Sequence, residues 1–369
     1  MNHNPPLVVV GNPDNRRVGS FRAAAHAAGL RVRVLPWRWL AGGEASLPQR
    51  ALVRVDSPGE DAEVDRLLRG ADRPLALGEI GGAAAWYVGL LAALDRLVGA
   101  AHQAGATLLN DPADIAVLFD KRACQRRLAA AGVPQPATLD AAPVGWAQLR
   151  SALAEAGWAR VFVKPVHGSS ASGMLALHVT ARRVQAVTSV EVVGDRLFNS
   201  LRVRAYRSER EVATIVDQLA PDGLLVQRWF PKAGLHGRVV DLRVLVIAGE
   251  PGHVVVRGSD GPLTNLHLGN RRGDPAAVRA AFGPRRWAAA LTDCVRAARC
   301  FTGSLHVGVD LMIGSDWRRH AVAEVNAFGD LLPGVYDAAG RDSYAAQLHA
   351  MRTGRSASWR GTARMERSA

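Results

Sequence analysis

Near the end of the chain, two neighbouring apolar runs are each interrupted by an acidic residue. Residues 305–334 read LHVGVDLMIGSDWRRHAVAEVNAFGDLLPG, so the first run carries Asp310 and the second carries Glu324 and Asn326. Because side chains alternate between the two faces of a strand, Glu324 and Asn326 are expected on one face. A turn centred near Trp317 would pair the runs as a hairpin and place Asp310 opposite Glu324.

The charges of this hairpin predict a bound cation. Two carboxylates on adjacent strands repel each other and are costly to remove from water, so we expect a positive charge between them. Mg²⁺ takes oxygen ligands, often one or two carboxylates together with nucleotide phosphates, and Asn326 adds an amide oxygen. Asp310, Glu324 and Asn326 are therefore the predicted magnesium ligands. The alternative is that one carboxylate is solvated at a strand edge and the other caps the next loop.

Length and composition set the broad class of the protein. At 369 residues, the chain exceeds what one hydrophobic core usually supports, so two or three domains are expected. Hydrophobic residues make up 48% of it, which indicates a folded chain. The N-terminus has no basic segment before its short apolar run, and we expect no stretch long enough to span a membrane. Three cysteines without a CxxC pair are typical of a reducing compartment, so a cytoplasmic location is predicted.

The net charge of +13 raises the alternative of a nucleic-acid-binding or partner-binding protein. The arginines are scattered and aromatic residues make up only 6% of the chain, so we expect the charge mainly on solvated helix faces. Lysine is rare and occurs only at Lys121, Lys164 and Lys232. A lysine retained in such an arginine-rich chain indicates a site that needs a compact, flexible point charge.

The first hundred residues alternate between strands and helices, which predicts a parallel α/β sheet. Strands are expected at residues 7–10, 31–35 and 52–55. Ligands of such sheets bind beyond the carboxyl ends of the strands, where Arg16 and Arg17 are placed to hold a substrate carboxylate. The alternative is that both arginines only solvate the first helix turn. Ser57, Pro58 and Glu60 predict the start of another helix.

Residues 161–177, VFVKPVHGSSASGMLAL, predict two strands joined by a flexible loop, with Lys164 at the end of the first strand. Glycine and serine allow backbone N–H groups of this loop to approach phosphate oxygens closely. The P-loop pattern is missing, and the alternative is a plain hairpin loop. The loop residues predicted to contact phosphate are Gly168, Ser169, Ser170, Ser172 and Gly173.

A later segment, residues 223–234 with the sequence GLLVQRWFPKAG, predicts an apolar strand that ends in polar and aromatic residues. Such a strand end can present backbone groups to the edge of an adenine ring while apolar side chains hold its faces. The residues predicted to do so are Gln227, Arg228, Trp229 and Phe230.

Two arginines then interrupt apolar strands. Arg243 and Arg257 are suited to a phosphoryl or carboxylate group, because the guanidinium fork binds two oxygens at once. The alternative for Arg243 is a surface pair with Asp241. Asn265 and Asn270 flank a polar loop and are predicted to contact a substrate.

The order of these motifs resembles the ATP-grasp superfamily over roughly residues 106–334. The segments DLRVLVIAG, NLHLGN and GVDLMI…AEVNAFG are most similar to the ribosomal-protein-modifying glutamate ligase and glutathione-synthetase-like branch. The resemblance implies an α/β N-terminal domain with a parallel sheet, followed by an α+β ATP-grasp core of two subdomains with antiparallel sheets. The expected parts are residues 1–105, the N-terminal domain; 106–222, the first subdomain; 223–350, the second; and 351–369, a basic flexible tail.

The resemblance also implies ligands and roles. ATP would lie between the subdomains, with Lys121 and Lys164 on its phosphates and the glycine-serine loop closing over them. Arg257 and Arg243, with Lys164, would neutralise the transferred phosphoryl group. One or two Mg²⁺ ions, or Mn²⁺ in their place, would be held by the hairpin. For Lys121 alone, a solvated helix position is the alternative.

The implied reaction is ligation. A substrate carboxylate would attack the γ-phosphoryl group of ATP, and an amine or thiol would then displace phosphate from the acyl phosphate. Amino acids and peptides are the expected substrates, with no membrane partner. An ATP-grasp phosphotransferase with a stable phosphorylated product is the alternative. One departure concerns the ribose, because no carboxylate occurs between Asp222 and Asp241, where such proteins often hold its hydroxyls.

Overall fold

The computed structural model describes residues 5–140, 142–168, 171–329 and 332–359. Its N-terminal part alternates strands and helices, and β2, β1, β3 and β5 form a parallel sheet in that order, which confirms the predicted α/β domain. The elements are β1 (Leu7–Gly11), α1 (Arg16–Ala27), β2 (Val32–Pro36), α2 (Trp37–Gly42), β3 (Leu52–Val55), α3 (Ala62–Arg69), β4 (Glu79–Ile80), α4 (Ala83–Ala104) and β5 (Thr107–Leu108). Strand β1 is buried along its whole length because helices cover both faces of the sheet.

The middle of the chain forms an antiparallel sheet in the order β10, β6, β7, β8, β9, β4. Its elements are α5 (Pro112–Phe119), α6 (Lys121–Ala130), α7 (Trp146–Glu155), β6 (Arg160–Pro165), β7 (Leu175–Val179), β8 (Val184–Val193), β9 (Arg196–Tyr206), α8 (Glu209–Leu219), a 3₁₀ turn (Ala220–Asp222) and β10 (Leu224–Arg228). Helices α7 and α8 pack their apolar faces on this sheet and make a separate hydrophobic core.

The C-terminal part forms a second antiparallel sheet in the order β14, β13, β12, β15, β16, with β11 paired to β12. Its elements are β11 (Gly234–Leu235), β12 (Arg238–Ile247), β13 (Glu250–Ser259), a 3₁₀ turn (Leu266–Leu268), β14 (Arg271–Gly273), α9 (Pro275–Phe282), α10 (Pro284–Arg299), β15 (His306–Ile313), β16 (His320–Asn326) and α11 (Ser343–Arg352). The two antiparallel sheets confirm the predicted architecture of the core.

The predicted limits of the domains cut through the middle sheet. Strand β4 comes from the N-terminal segment but pairs with β9, with Glu79 opposite Phe198. Strand β10 lies beyond residue 222 but pairs with β6. Both boundaries, at residues 105 and 222, therefore do not coincide with the limits of the sheets.

One helix start differs from the sequence expectation. Helix α3 begins at Ala62 with Asp61 as its N-cap, so residues 57–60 form a loop and not the first turn of a helix. The side chain of Asp61 accepts hydrogen bonds from two backbone N–H groups at 3.0 Å, which fixes the helix start there. The side chain of Asp120 caps α6 in the same way, which makes Lys121 the first residue of that helix.

Helix α4 is long and apolar enough to cross a membrane by length and composition, contrary to the expectation from the sequence. One face of it, with Leu90, Leu94 and Leu97, is buried in the main core. Arg96 on the same helix donates to the carbonyl oxygen of Leu40 at 3.0 Å. One face of α4 therefore packs in the core of the N-terminal domain.

The C-terminal segment is ordered further than predicted. Residues up to Arg352 belong to α11, and Trp359 donates its indole N–H to the carbonyl oxygen of Ser304 at 3.0 Å. The Trp359 ring also lies against Gly249, where an added Cβ would come within 2.8 Å of it. The expectation of a flexible tail is therefore wrong for residues 351–359.

Candidate functional site

A cavity of about 290 Å³ lies between the middle sheet, the C-terminal sheet and the N-terminal loops. It gathers most of the predicted site residues, which are far apart in the chain. Those lining it are Arg17, Lys121, Lys164, Gly168, Ser172, Gln227, Arg228, Phe230, Arg243, Arg257, Asn265, Asp310, Glu324 and Asn326. The ligand roles assigned to them stay predictions, whereas their convergence is a feature of the fold.

The hairpin of β15 and β16 pairs as expected. Asp310 lies directly opposite Glu324, and the turn contains Trp317 with a φ of +51°. A bulge shifts the register by one residue next to Asp310, so the residues nearer the turn pair with a different offset. The bulge therefore brings the two carboxylates together at the cavity wall.

Protein cations already lie beside both carboxylates. The Nε of Arg243 and the Nη1 of Arg257 are each 3.1 Å from Oδ1 of Asp310. The Nζ of Lys121 is 3.2 Å from Oε1 of Glu324. The sequence argument that these acids need an added cation is therefore incomplete, because arginine and lysine supply positive charge there.

The donor set nevertheless suits Mg²⁺. Burial raises the pKa of Asp310, and the two arginines do not fully offset that effect, so further positive charge would stabilise its ionised form. Burial also opposes ionisation of Glu324, but Lys121 and Lys164 outweigh it and lower its pKa. Among the described residues, no group of three or more His, Cys, Asp and Glu side chains could hold a metal. A metal here would depend on the amide oxygen of Asn326 and on oxygens of the ligand.

The two predicted phosphate lysines meet at the glycine-serine loop and the hinge strand. Lys164 is buried, and its Nζ donates to Oε1 of Gln227 at 2.5 Å. The Nζ of Lys121 donates to the carbonyl oxygen of Gly168. Burial lowers the pKa of Lys164. Both ammonium groups thus lie at the point where the loop leaves the sheet.

A second buried cluster was not predicted. The Nζ of Lys232 is 3.2 Å from Oδ2 of Asp241 and 2.8 Å from Oγ1 of Thr264. The Nε of Arg257 is 2.7 Å from Oδ1 of Asp241, so Arg257 bridges the two carboxylates of Asp241 and Asp310. The one sequence signal for this cluster was the rarity of lysine, which singled out Lys232.

Strand register explains these pairs and corrects one alternative. Asp241 lies opposite Arg257 on β13, while Arg243 lies opposite Asp310 on β15. Side chains opposite each other on neighbouring strands come closer than side chains two apart on one strand. Asp241 is buried, so the surface pair between Asp241 and Arg243 is wrong.

Some predicted residues lie outside the cavity lining. The Trp229 ring stacks on Phe162, with ring centroids 4.9 Å apart, and Phe162 is the ring that faces the cavity. The side-chain amide of Asn270 donates to the carbonyl oxygen of Asn265 at 2.9 Å, so it supports the loop. Gly173 packs against Pro165, with only 2.7 Å between an added Cβ and the proline ring. Arg16 is exposed on α1, and Ser169 and Ser170 lie outside the described residues.

No protein-family model and no curated protein sequence matches this chain. Several solved structures match it over nearly the full length of both proteins. The ATP-grasp ligase PsnB, complexed with precursor peptide PsnA2 and AMPPNP, aligns at 18% identity and TM-score 0.52, covering 96% of this chain and 99% of that chain. D-cycloserine synthetase DcsG aligns at 17% identity and TM-score 0.59, covering 95% and 99%. Macrocyclase MdnC from Microcystis aeruginosa MRC, bound with precursor peptide MdnA, aligns at 11% identity and TM-score 0.54, covering 94% and 99%.

Proposed function

We propose that this chain, which has the ATP-grasp fold, is an ATP- and Mg²⁺-dependent ligase that joins a carboxylate to an amine. One observation supports this above the others: three oxygen-donor side chains of the hairpin share a cavity with Lys121, Lys164, Arg243 and Arg257. Such a set neutralises a triphosphate and the charge that develops as a phosphoryl group is transferred.

The nucleotide end of the cavity is built by the middle sheet. Lys121 and Lys164 would bind the phosphates, with the loop that begins at Gly168 closing over them. Gln227 and the following hinge residues would hold the adenine, with Phe162 on one face of the ring. Binding there would place the γ-phosphoryl group toward β12 and β13, which carry Arg243 and Arg257.

Asp310, Glu324 and Asn326 would hold the metal, which when bound neutralises phosphate charge. The substrate carboxylate attacks the γ-phosphorus and ADP leaves, which gives an acyl phosphate. The amine then attacks the acyl carbon, phosphate leaves, and the amine loses a proton as the amide forms. Arg243 and Arg257 would neutralise the oxygens of the transferred group, and the closed loop would exclude water.

The substrates are proposed to be amino acids or peptides. PsnB and MdnC are structures with precursor peptides, and DcsG makes D-cycloserine, so proteins of this fold act on peptides and on amino-acid-like molecules. Arg17 and Asn265 line the cavity and are the candidate substrate contacts. The exposed position of Arg16 removes it from this role.

Replacing Glu324 tests the proposal. A thermal-shift screen with ATP, Mg²⁺, amino acids and peptides would first supply a substrate. With that substrate, Glu324→Gln is expected to slow Mg²⁺-dependent ADP release by about 100-fold or more, since it removes charge at the metal. Glu191→Gln, which breaks an exposed ion pair with Arg204, is the control and should leave the rate unchanged.

Unchanged turnover in Glu324→Gln would refute the metal site. The mass of the product distinguishes a ligase from a phosphotransferase, since both reactions begin with phosphoryl transfer from ATP. An amide with release of phosphate supports a ligase, whereas a stable phosphorylated product would assign the chain to the phosphotransferases.

A further inference from the structure

The N-terminal wall of the cavity carries two opposite charges on neighbouring loops. Arg17 is the second residue of α1, which follows β1, and Glu60 lies in the loop after β3. Both side chains line the cavity, together with Ser57 and Gly59. Strands β1 and β3 are parallel neighbours, so their following loops meet at the carboxyl edge of the sheet.

The loop of residues 57–60 is held in place from beneath. Buried Asn12 donates its side-chain amide to the carbonyl oxygens of Pro58 and Gly59, at 3.0 Å and 2.9 Å. Glu60 has a φ of +66°, a conformation that non-glycine residues rarely adopt. A strained residue on an anchored loop indicates that the position of its side chain matters more than the local backbone energy.

Arg17 is partly buried, and its Nε has no hydrogen-bond partner among the described residues. The Arg17 side chain is only 19% exposed. The nearest carboxylates, on Asp56 and Glu60, are both 3.6 Å away. Asp56 is already paired with Arg54 at 2.8 Å. Because an unsatisfied buried donor costs free energy, this guanidinium is suited to an incoming carboxylate.

Glu60 differs from the other carboxylates of the cavity. The other carboxylates, those of Asp241, Asp310 and Glu324, each have a cationic nitrogen within 3.2 Å. The nearest cationic nitrogen to Glu60 is that of Arg17 at 3.6 Å, and the Glu60 side chain is 65% exposed. Asn15 donates to its Oε2 at 2.8 Å, which orients the carboxylate. Glu60 can therefore accept a further cationic group.

We propose that Arg17 and Glu60 bind an α-amino acid as a zwitterion, with its carboxylate on Arg17 and its ammonium group on Glu60. On binding, the 3.6 Å contact between Arg17 and Glu60 is replaced by two close ion pairs, one between Arg17 and the ligand carboxylate and one between Glu60 and the ligand ammonium group. The charges of these two ligand groups cancel, so together they add no net charge to the site. The inference rests on the proposed ligase function and names the class of one substrate. A free amino acid fits this pair of charges, whereas an amino acid within a peptide chain lacks both of them.

Binding measurements on the full chain test the assignment. Isothermal titration with each proteinogenic amino acid and its D-enantiomer, with and without ADP and Mg²⁺, identifies the amino acid that binds most tightly. Its carboxamide, which lacks the carboxylate, and its desamino acid, which lacks the ammonium group, are then compared with it. The wild-type chain is expected to bind each of them about 10-fold or more weakly.

Two variants assign each charge to its partner. In Glu60→Gln, the preference for the amino acid over its desamino form should disappear, while the preference over the carboxamide remains. Arg17→Gln should show the reverse pattern, because each substitution removes one pair only. Arg16→Gln and Glu63→Gln alter charges on the neighbouring helices outside the cavity lining and should retain both preferences.

The proposal is overturned if no amino acid binds the wild-type chain, or if Glu60→Gln still prefers the ammonium form. Thermal shift of the same proteins with ATP and Mg²⁺ separates this outcome from a failure of the ligase proposal. Nucleotide binding without amino-acid binding refutes the zwitterion site alone. Amino-acid binding with the predicted pattern but without nucleotide binding supports the zwitterion site and refutes the ligase.

Discussion

Buried ion pairs of the C-terminal sheet define the site at the residue scale. Asp241 lies between Arg257 and Lys232, and Arg257 also forms an ion pair with Asp310. Removing one member of such a set leaves its partners buried without a counter-charge, which is more costly than losing an exposed pair. The geometry of Arg257 therefore depends on Asp241.

Asp241→Asn tests this dependence. The variant is expected to lower the free energy of unfolding at pH 7 by about 3 kcal/mol or more, measured by urea denaturation. Asp260→Asn removes an exposed carboxylate 3.6 Å from Arg238 and should change the free energy of unfolding by less than about 0.5 kcal/mol. Equal effects of the two substitutions would show that the buried cluster does not stabilise the fold.

The same variant should change the acid sensitivity of the protein. Burial opposes ionisation of Asp241, but Arg257 and Lys232 hold its pKa well below the usual range. A lowered pKa stabilises the folded chain above the unfolded-state pKa of about 4, and that stabilisation is lost as the pH falls toward the folded-state pKa. The difference in stability between wild type and Asp241→Asn should therefore narrow from pH 5 downward, measured by urea denaturation at each pH. A constant difference would contradict this assignment.

At the scale of elements, the glycine-serine loop depends on close packing at its end. Gly173 has a φ of +70°, and an added Cβ would lie 2.7 Å from Pro165 and 3.2 Å from Leu219. Gly157, after α7, has a φ of +65° but open space around it. Both glycines thus need a positive φ, whereas only Gly173 also lacks space for a Cβ atom.

Alanine substitutions separate these two requirements. Gly157→Ala is expected to cost about 1 kcal/mol of unfolding free energy, from backbone strain alone. Gly173→Ala should cost at least about 1 kcal/mol more, because the loop or Pro165 must move. Urea denaturation of both variants gives the comparison. Equal losses of unfolding free energy in the two variants would mean that the loop can move to accommodate a Cβ atom at residue 173 without further cost.

Local sequence patterns predicted strands well and contacts between distant segments poorly. The pairing of Asp310 with Glu324 was predicted because strand period and a nearby turn fix it within one hairpin. The segment at Ser57 matched a helix start, yet Asp61 caps α3, since several acidic residues compete for that position. The cluster around Lys232 joins strands β12 and β13 to two segments outside the strands, at Lys232 and Thr264, and no periodicity in the sequence encodes such a meeting.

At the scale of the whole molecule, the cores do not follow the order of the sheets along the chain. One hydrophobic cluster joins the N-terminal parallel sheet to the C-terminal sheet, and it contains Val10 together with Val307 and Val309. The middle sheet has its own cluster with α7 and α8. Segments that are distant in the chain therefore share one core, while the middle sheet with α7 and α8 has a core of its own.

Native-state hydrogen exchange should reveal this division. Amides of β1 and β15 are expected to exchange with the same opening free energy, because their strands belong to one core. Amides of β7 and β8 should exchange with a different and lower opening free energy. Mass spectrometry of peptides from the exchanged protein measures both groups. Separate opening energies for β1 and β15 would contradict a shared core.

Strand β4 also governs how the middle sheet can move. It lies at the edge opposite β10, so the polypeptide leaves this sheet for the remainder of the molecule at both of its edges. Next to β4, Gly81 and Gly82 have φ angles of +159° and +62°. We therefore expect the middle sheet to move mainly by rotation about the line through these two edges, which would open the cleft without shifting the sheet sideways.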